Sequence, residues 1–288
     1  MGSSADLDVA TLRDWLARAL PIARDAASLL REAWRGAMRA YAKSRGDLVT
    51  ELDLCSEAMI RARLAEAFPD HAVIGEEGGG EEAELAWYVD PLDGTTNFLH
   101  GHPFFCVSMA LVRAAEEPLV GIVVAPALAV EWTAIRGGGA TRNGAPCAVS
   151  ATQSLDDALL STGFPAWRAH HADNNYRAFL ALDAASRGVR RCGASAIEIA
   201  MVADGSYDAF WDLGLKPWDV AAASLMVLEA GGAATDFGGG PLRLGGGRIL
   251  VSNGRIHRAL VEGLAGAIPL PPLGLDRPSG LPGSGEVG

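Results

Sequence analysis

The chain has 288 residues, with 24 Lys and Arg against 35 Asp and Glu, a formal net charge of −11. Hydrophobic residues make up 49% and charged residues 20%, enough for a sizeable core and too apolar for a disordered chain or a coiled coil. Lys43 and Lys216 are the only lysines and no basic run exists, so there is no electrostatic footprint for DNA or RNA, and an anionic substrate would need cations beside it.

The length predicts one large domain or two closely packed ones. Over residues 9–40, Leu12, Leu16, Leu20, Ala23, Ala27 and Leu30 recur at helical spacing. They predict a long amphipathic helix that Pro21 kinks or divides. A loop at 43–47 leads to a second helix over 52–68, stopped by Pro69. Short apolar or alternating runs at 72–75, 87–89, 105–113, 119–124 and 130–135 predict strands of an antiparallel sheet. From about Ser150, strands at 159–161, 189–191, 207–211 and 249–252 alternate with helices at 178–187, 196–203, 220–230 and 256–264. The expected organisation is an α+β half over 9–150, an α/β half over 151–268, and a Pro- and Gly-rich tail, 269–288, that is extended or disordered.

Cys55, Cys106, Cys147 and Cys192 stand far apart without a C-x-x-C pair, which argues against a zinc ribbon or a redox motif. Each reads as a small buried hydrophobe, although spacing leaves two disulfides open. No basic leader and no apolar run of membrane-spanning length is present, so a soluble, cytoplasmic protein without a membrane partner is expected.

The segment Trp87–Phe98 is the most informative. Pro91 forces Asp90 into an extended conformation and ends the strand there, Asp93 falls in a turn, and Gly94 permits a backbone approach that a side chain would block. Thr95, Thr96 and Asn97 then read as a first helical turn whose free N–H groups suit a phosphate. Upstream, Glu76 and Glu77 follow another short apolar run; downstream, Asp219 opens an apolar helix, and Asp53 follows Thr50 at the head of the second helix. Each acid alone has an ordinary explanation as a cap, a dipole partner or a loop acid. Gathered together they do not: two carboxylates ~4 Å apart repel by about 4 kcal/mol at an effective dielectric near 20. Hard divalent cations remove that repulsion, and oxygen-only ligation selects Mg²⁺. Serine-hydrolase chemistry fits poorly, because Gly193-Ala194-Ser195-Ala196-Ile197 fails the G-x-S-x-G elbow at its last position. His100, His102, His170 and His171 lack metalloprotease spacing.

Four segments together resemble the inositol monophosphatase family of Mg²⁺-dependent, lithium-sensitive phosphatases. They are Asp47–Asp53, Gly75-Glu76-Glu77, Asp90–Phe98, and Trp218–Ala222 leading to Glu229-Ala230-Gly231-Gly232, and their order and spacing match from roughly 9 to 265. The resemblance implies a layered αβαβα sandwich of mixed α+β and α/β character, and a homodimer. It implies that Glu76, Asp90 and the carbonyl of Leu92 bind a first Mg²⁺, that Asp90, Asp93 and Asp219 bind a second, and that Glu76 touches a third. Thr95 and Asp53 would orient the attacking water. Backbone N–H groups of Gly94 and Thr95 would hold the phosphate, with Gly193, Ala194, Ser195 and Asp212 bordering the alcohol. Glu77 would stand beside the metal ligands, and Lys43 aligns with a loop lysine near the site. Inositol 1-phosphate is the substrate expected first. Relatives in the superfamily act on histidinol phosphate, fructose 1,6-bisphosphate or adenosine bisphosphates. Thr96, where the nucleotidase and histidinol phosphatase branches would look more like Lys, favours the inositol type, while Asp212 stands where that type often carries Glu. A regulatory or RNA-associated protein of the same fold is the alternative of a different class, and the charge balance speaks against it.

Overall fold

Asp8 caps the first helix by accepting the Thr11 N–H at 2.7 Å, and α1 (Val9–Ala33) then runs 25 residues straight through Pro21. The computed structural model describes residues 7–36, 40–44, 47–165, 172 and 174–266. Pro21 does not divide the helix because it lies on the solvent side. The buried stripe Leu12, Ala19, Ile22, Ala23, Ala26, Ala27 and Leu30 continues past it, so packing carries the helix over one missing N–H. The helix ends at Ala33, earlier than its periodicity suggests: Trp34 is extended and Arg35 has φ of +69°.

The predicted helix end and loop around 40–47 are instead a hairpin. β1 (Ala40–Ser44) pairs antiparallel with β2 (Asp47–Thr50), Ala40 opposite Thr50. Five- and four-residue strands interrupted by Lys, Ser and Asp are too short to show a period of two. Thr50 closes the hairpin and caps α2 (Glu51–Ala67): its hydroxyl accepts the Leu52 and Asp53 N–H groups at 3.1 and 3.3 Å, while Asp53 accepts the Thr50 N–H at 2.9 Å.

Next come β3 (Ala72–Gly75), β4 (Leu85–Asp93), the short α3 (Thr95–Leu99), β5 (Cys106–Arg113), β6 (Glu117–Ala125), β7 (Val130–Ile135), β8 (Gly139–Arg142) and β9 (Ala145–Pro146). β3 to β9 form a seven-stranded sheet in sequence order, antiparallel apart from the parallel pair β3–β4. All five predicted strands lie in it; β8 and β9, only four and two residues long, were not expected.

The second half contributes β10 (Leu159–Thr162), α4 (Tyr176–Ala184), β11 (Gly188–Arg190), α5 (Ser195–Ala203), β12 (Ala209–Leu213), α6 (Pro217–Glu229), β13 (Ala233–Thr235), β14 (Arg248–Ser252) and α7 (His257–Ala265). The five-stranded sheet runs β11-β10-β12-β14-β13, with β10 parallel to both neighbours and β14 antiparallel to both of its own. Every predicted element of this half is present within a few residues, and β13 is additional.

Strand alternation divides the core into three layers. On β4, Trp87 and Val89 face α1 and α2, packing with Leu12, Ile22, Leu30, Ile60 and Leu64. Ala86 and Tyr88 face the other way, toward α5 and α6, where Ile197, Ile199, Val220 and Met226 fill the space up to Phe210, Ile249 and Val251 of the second sheet. Beyond that sheet, Leu160, Ala209, Trp211 and Leu250 pack against Leu182 of α4 and Leu260 and Leu264 of α7. The order is helices, sheet, helices, sheet, helices: an αβαβα sandwich.

All four cysteines are free thiols. Cys106 is buried as expected, but Cys55 is exposed on α2, because its position falls on the solvent side of that helix. No helix among the described residues is long and apolar enough to cross a membrane. The tail 269–288, His170 and His171 lie outside the described residues.

Candidate active site

The site begins with an irregularity in β4. Asp90 pairs with Ser108 and Asp93 with Cys106, three steps on β4 against two on β5. In a regular strand, residues three apart point to opposite faces; one extra residue restores the parity. Pro91, which has no N–H to give the ladder, sits inside that bulge. The strand therefore does not end at Asp90, and Asp93 is its last residue rather than part of a free turn. By alternation Asp90 follows Tyr88 toward the α5–α6 layer, and Asp93 reaches the same layer, where its Oδ2 accepts the Ala196 N–H of α5 at 2.7 Å. Asp90 Oδ1 accepts the Leu92 N–H at 2.9 Å.

Gly94 caps α3 with φ of +88°, and a Cβ there would stand 2.7 Å from the Phe104 carbonyl oxygen and 3.3 Å from Ala194 Cβ. The residue has to be glycine on both counts. Gly193 and Ala194 thus lie directly against it, and the Ser195 amide joins that of Ala196 in holding Asp93.

Asp219 and Asp53 keep the ordinary capping geometry and reach the site as well. Asp219 Oδ2 accepts the Lys216 N–H at 2.7 Å at the start of α6. Asp53 Oδ1 lies 3.3 Å from the Thr95 hydroxyl, which is also 3.1 Å from the Leu92 carbonyl oxygen. Glu76 follows β3 and donates its N–H to Val89 O at 3.1 Å, which sets it beside the end of β4. Asp212, on β12, accepts the Leu213 N–H at 2.7 Å.

Electrostatics shows that these acids share one place. Burial, then the charges of Glu76, Asp93 and Asp219, holds Asp90 well above the usual carboxylate range. Asp219 is likewise raised, by burial and then by Asp93, Glu76 and Asp212, against the Lys216 amide. Burial pushes Asp93 up to about 6 although the α5 amides pull the other way. Asp212 is pushed up to about 7 by burial, with Arg191 opposing and Asp93 adding to the rise. Burial also raises Asp53 against its Thr50 hydrogen bonds. Five predicted acids, Glu76, Asp90, Asp93, Asp212 and Asp219, therefore feel one another, and Asp53 adjoins them through Thr95.

The donor set is all oxygen, which fits Mg²⁺ and not a softer metal. Among the described residues no three acidic, histidine or cysteine side chains are already arranged to hold a metal ion. Instead Asp90, Asp93 and Asp219 each turn one oxygen onto a backbone amide. The arrangement is a gathered cluster whose mutual repulsion favours cations over bare ionisation.

Two predicted residues stand differently. The backbone of Glu77 is tied to α2, its N–H donating to Glu57 Oε2 at 2.7 Å. Lys43 lies on β1, in a hairpin and not in a loop, and its side chain lies outside the described residues. Sequence reasoning missed three buried or half-buried anchors. Glu57 accepts the Glu77 and Gly78 N–H groups and pairs with Arg61 at 2.7 Å, fixing the loop that presents Glu76. Asn97 ties α3 to the strip before α5, and Glu198 grips that strip from below. The available signal for Glu198 was a lone acid in the otherwise apolar run Ala196–Ala203. A cavity of about 470 Å³ lined by Asn174, Arg177, Phe237 and Arg248 contains none of the acids, so volume and chemistry do not coincide here.

Fold and site together define a layered sandwich of the sugar-phosphatase type, with its acids gathered where β4, α5, α6 and β12 meet. The chain belongs to the inositol monophosphatase family, which it matches over residues 11–269. It is 42% identical over 258 residues to the inositol-1-monophosphatase of Synechocystis, covering 88% of this chain and 90% of that protein. It is 47% identical over 202 residues to the Nus factor SuhB of Pseudomonas aeruginosa, covering 67% and 74%. The solved inositol monophosphatase of Anabaena (Nostoc) superposes with a TM-score of 0.82 at 37% identity, covering 91% of this chain and 98% of that one.

Proposed function

We propose that this chain is a Mg²⁺-dependent phosphatase of a small phosphate monoester, with inositol 1-phosphate its first candidate substrate, working as a homodimer. The observation that carries the reading is the gathering of Asp90, Asp93 and Asp219, where the charges of Asp93 and Glu76 add to burial in raising both Asp90 and Asp219, beside a glycine-capped helix start at Gly94. In this reading Glu76, Asp90 and the Leu92 carbonyl would hold one Mg²⁺, and Asp90, Asp93 and Asp219 would hold another, with Glu76 also serving a third. When bound, Mg²⁺ neutralises the acids and supplies Lewis acidity toward the phosphoryl group. The N–H groups of Gly94 and Thr95 grip the phosphate oxygens. Thr95, set between the Leu92 carbonyl and Asp53, orients the attacking water, and Asp53 behind it takes up the proton. Asp212, Gly193, Ala194 and Ser195 border the alcohol, while Glu77 stands beside the metal ligands.

The relative named a Nus factor carries a second reading, a role in a transcription complex. The intact acid set favours turnover. Phosphate release from inositol 1-phosphate, histidinol phosphate, fructose 1,6-bisphosphate and adenosine 3′,5′-bisphosphate, with and without Mg²⁺ and Li⁺, tests this. Release should require Mg²⁺, be fastest with inositol 1-phosphate and be suppressed by Li⁺. Silence across the whole panel would sink the phosphatase reading.

A further inference from the structure

Glu198 has no part in the chemistry above, yet it is a carboxylate 1% exposed inside an apolar helix. Its oxygens receive three consecutive backbone donors: the Cys192 N–H at 3.1 Å on Oε1, and the Gly193 and Ala194 N–H groups at 3.0 and 3.4 Å on Oε2. The opposite edge of the same strip is held by Asn97, whose Nδ2 donates to the carbonyls of Cys192 at 2.7 Å and Gly193 at 3.3 Å, and to Phe104 at 2.7 Å. The Cys192 thiol lies 3.4 Å from the Tyr207 hydroxyl. No sheet ladder holds residues 192–194; side chains hold both edges. The strip in turn abuts the phosphate cradle, since a Cβ on Gly94 would meet Gly193 O and Ala194 Cβ at 3.3 Å each.

A buried acid is costly, and burial pushes this one up to about 8 despite three donors. Capping α5 would need only one acceptor oxygen. Three amides gathered on one carboxylate fix a segment in space, and the segment faces the cradle.

We propose that Glu198 is a positioning residue that sets the Gly193–Ala194 strip at its distance from the Gly94–Thr95 cradle and thereby governs recognition of the alcohol half of the substrate. The inference rests on reading that strip as the alcohol border. Asp93 is held by the Ala196 amide, inside the helix proper, so the clamp acts on the strip and leaves the acid cluster in place.

Glu198→Gln keeps one acceptor oxygen and turns an N–H₂ toward the remaining donors, and Glu198→Ala removes both acceptors. Each variant would be compared with the unaltered chain on inositol 1-phosphate and on p-nitrophenyl phosphate, whose alcohol lacks the polyol hydroxyls, together with a direct Mg²⁺ titration. Glu198→Gln should raise KM for inositol 1-phosphate about tenfold, from one orphaned buried donor, with kcat within about twofold. The aryl phosphate constants and the Mg²⁺ affinity should stay as they were, and Glu198→Ala should move KM further the same way. An unchanged KM, or equal losses on both substrates, would overturn the proposal. If the unaltered chain releases phosphate from neither ester, the phosphatase reading fails, and amide hydrogen exchange judges the clamp separately. Faster exchange of residues 192–194 in Glu198→Gln then supports it, and unchanged exchange overturns it.

Discussion

At Asp93, activity and stability pull in opposite directions. Its carboxylate is partly buried at the end of β4, and burial lifts it from 3.8 to about 6 while the Ala196 and Ser195 amides resist. A shift of that size corresponds to a penalty on the order of 3 kcal/mol for holding the group ionised without cations. Asn at this position keeps an acceptor for the Ala196 N–H and removes the charge. Asp93→Asn is therefore expected to melt several degrees higher than the unaltered protein at pH 8 in EDTA. Its Mg²⁺-dependent phosphate release should fall at least about a hundredfold, the scale of losing one charge-stabilising group. Thermal unfolding and steady-state kinetics on one preparation check both halves. A variant with near-normal turnover, or one that melts lower without metal, contradicts the assignment.

Among the elements, α1 shows where local rules yield to packing. Pro21 breaks no contact of the buried stripe, but it withholds one backbone hydrogen bond from the solvent side of a 25-residue helix. Pro21→Ala should stabilise the protein by about 1–3 kcal/mol and leave phosphate release unchanged. Denaturant unfolding measures this; a loss of stability would mean that the proline's ring packing outweighs the missing bond. The same contrast explains what could be seen without coordinates. The acids at 53, 76, 93 and 219 were legible because each stands at or beside an element end marked by a cap or a glycine, and Asp90 because Pro91 follows it, although the strand runs on. The layered order was legible because long apolar runs keep their period. Three things were hidden by physics that no local pattern records. The bulge that turns Asp90 and Asp93 to one side depends on pairing with β5, whose Ser108 stands 18 residues further along the chain from its partner Asp90. The β1–β2 hairpin and the short strands β8, β9 and β13 carry too few residues to show a period. Glu57 and Glu198 look like helix surface acids until tertiary structure encloses them.

Over the whole molecule, the site exists because β4 of one sheet, β12 of the other and the starts of α5 and α6 between them converge, and that convergence gathers acids which lie far apart in an unfolded chain. In the unfolded chain they titrate near 4. In the folded, metal-free protein Asp212 is pushed up to about 7 and Glu198 to about 8, with Asp90 and Asp219 also held high. Each binds its proton more tightly when folded, so its contribution to stability is complete below the unfolded value and is lost as pH rises through the folded one. His71 and His257 have lowered values from burial and act with the opposite slope, but only below about 6.5. Cys106, Cys147 and Cys192, raised by burial from 9, slope the same way as the acids as pH nears 9, so the window from pH 7 to 9 carries one sign throughout. In EDTA the melting temperature should fall steadily across it. Excess Mg²⁺ should flatten part of the fall, because cations take over the role of the protons at Asp90 and Asp219. A smaller decline near pH 8 should survive metal, since the Glu198 oxygens accept backbone amides and are not among the proposed metal ligands. Melting curves at fixed ionic strength, with and without Mg²⁺, decide it: a flat or rising metal-free profile, or a Mg²⁺ stabilisation that shrinks toward pH 9, would mean that these acids do not meet where the fold puts them.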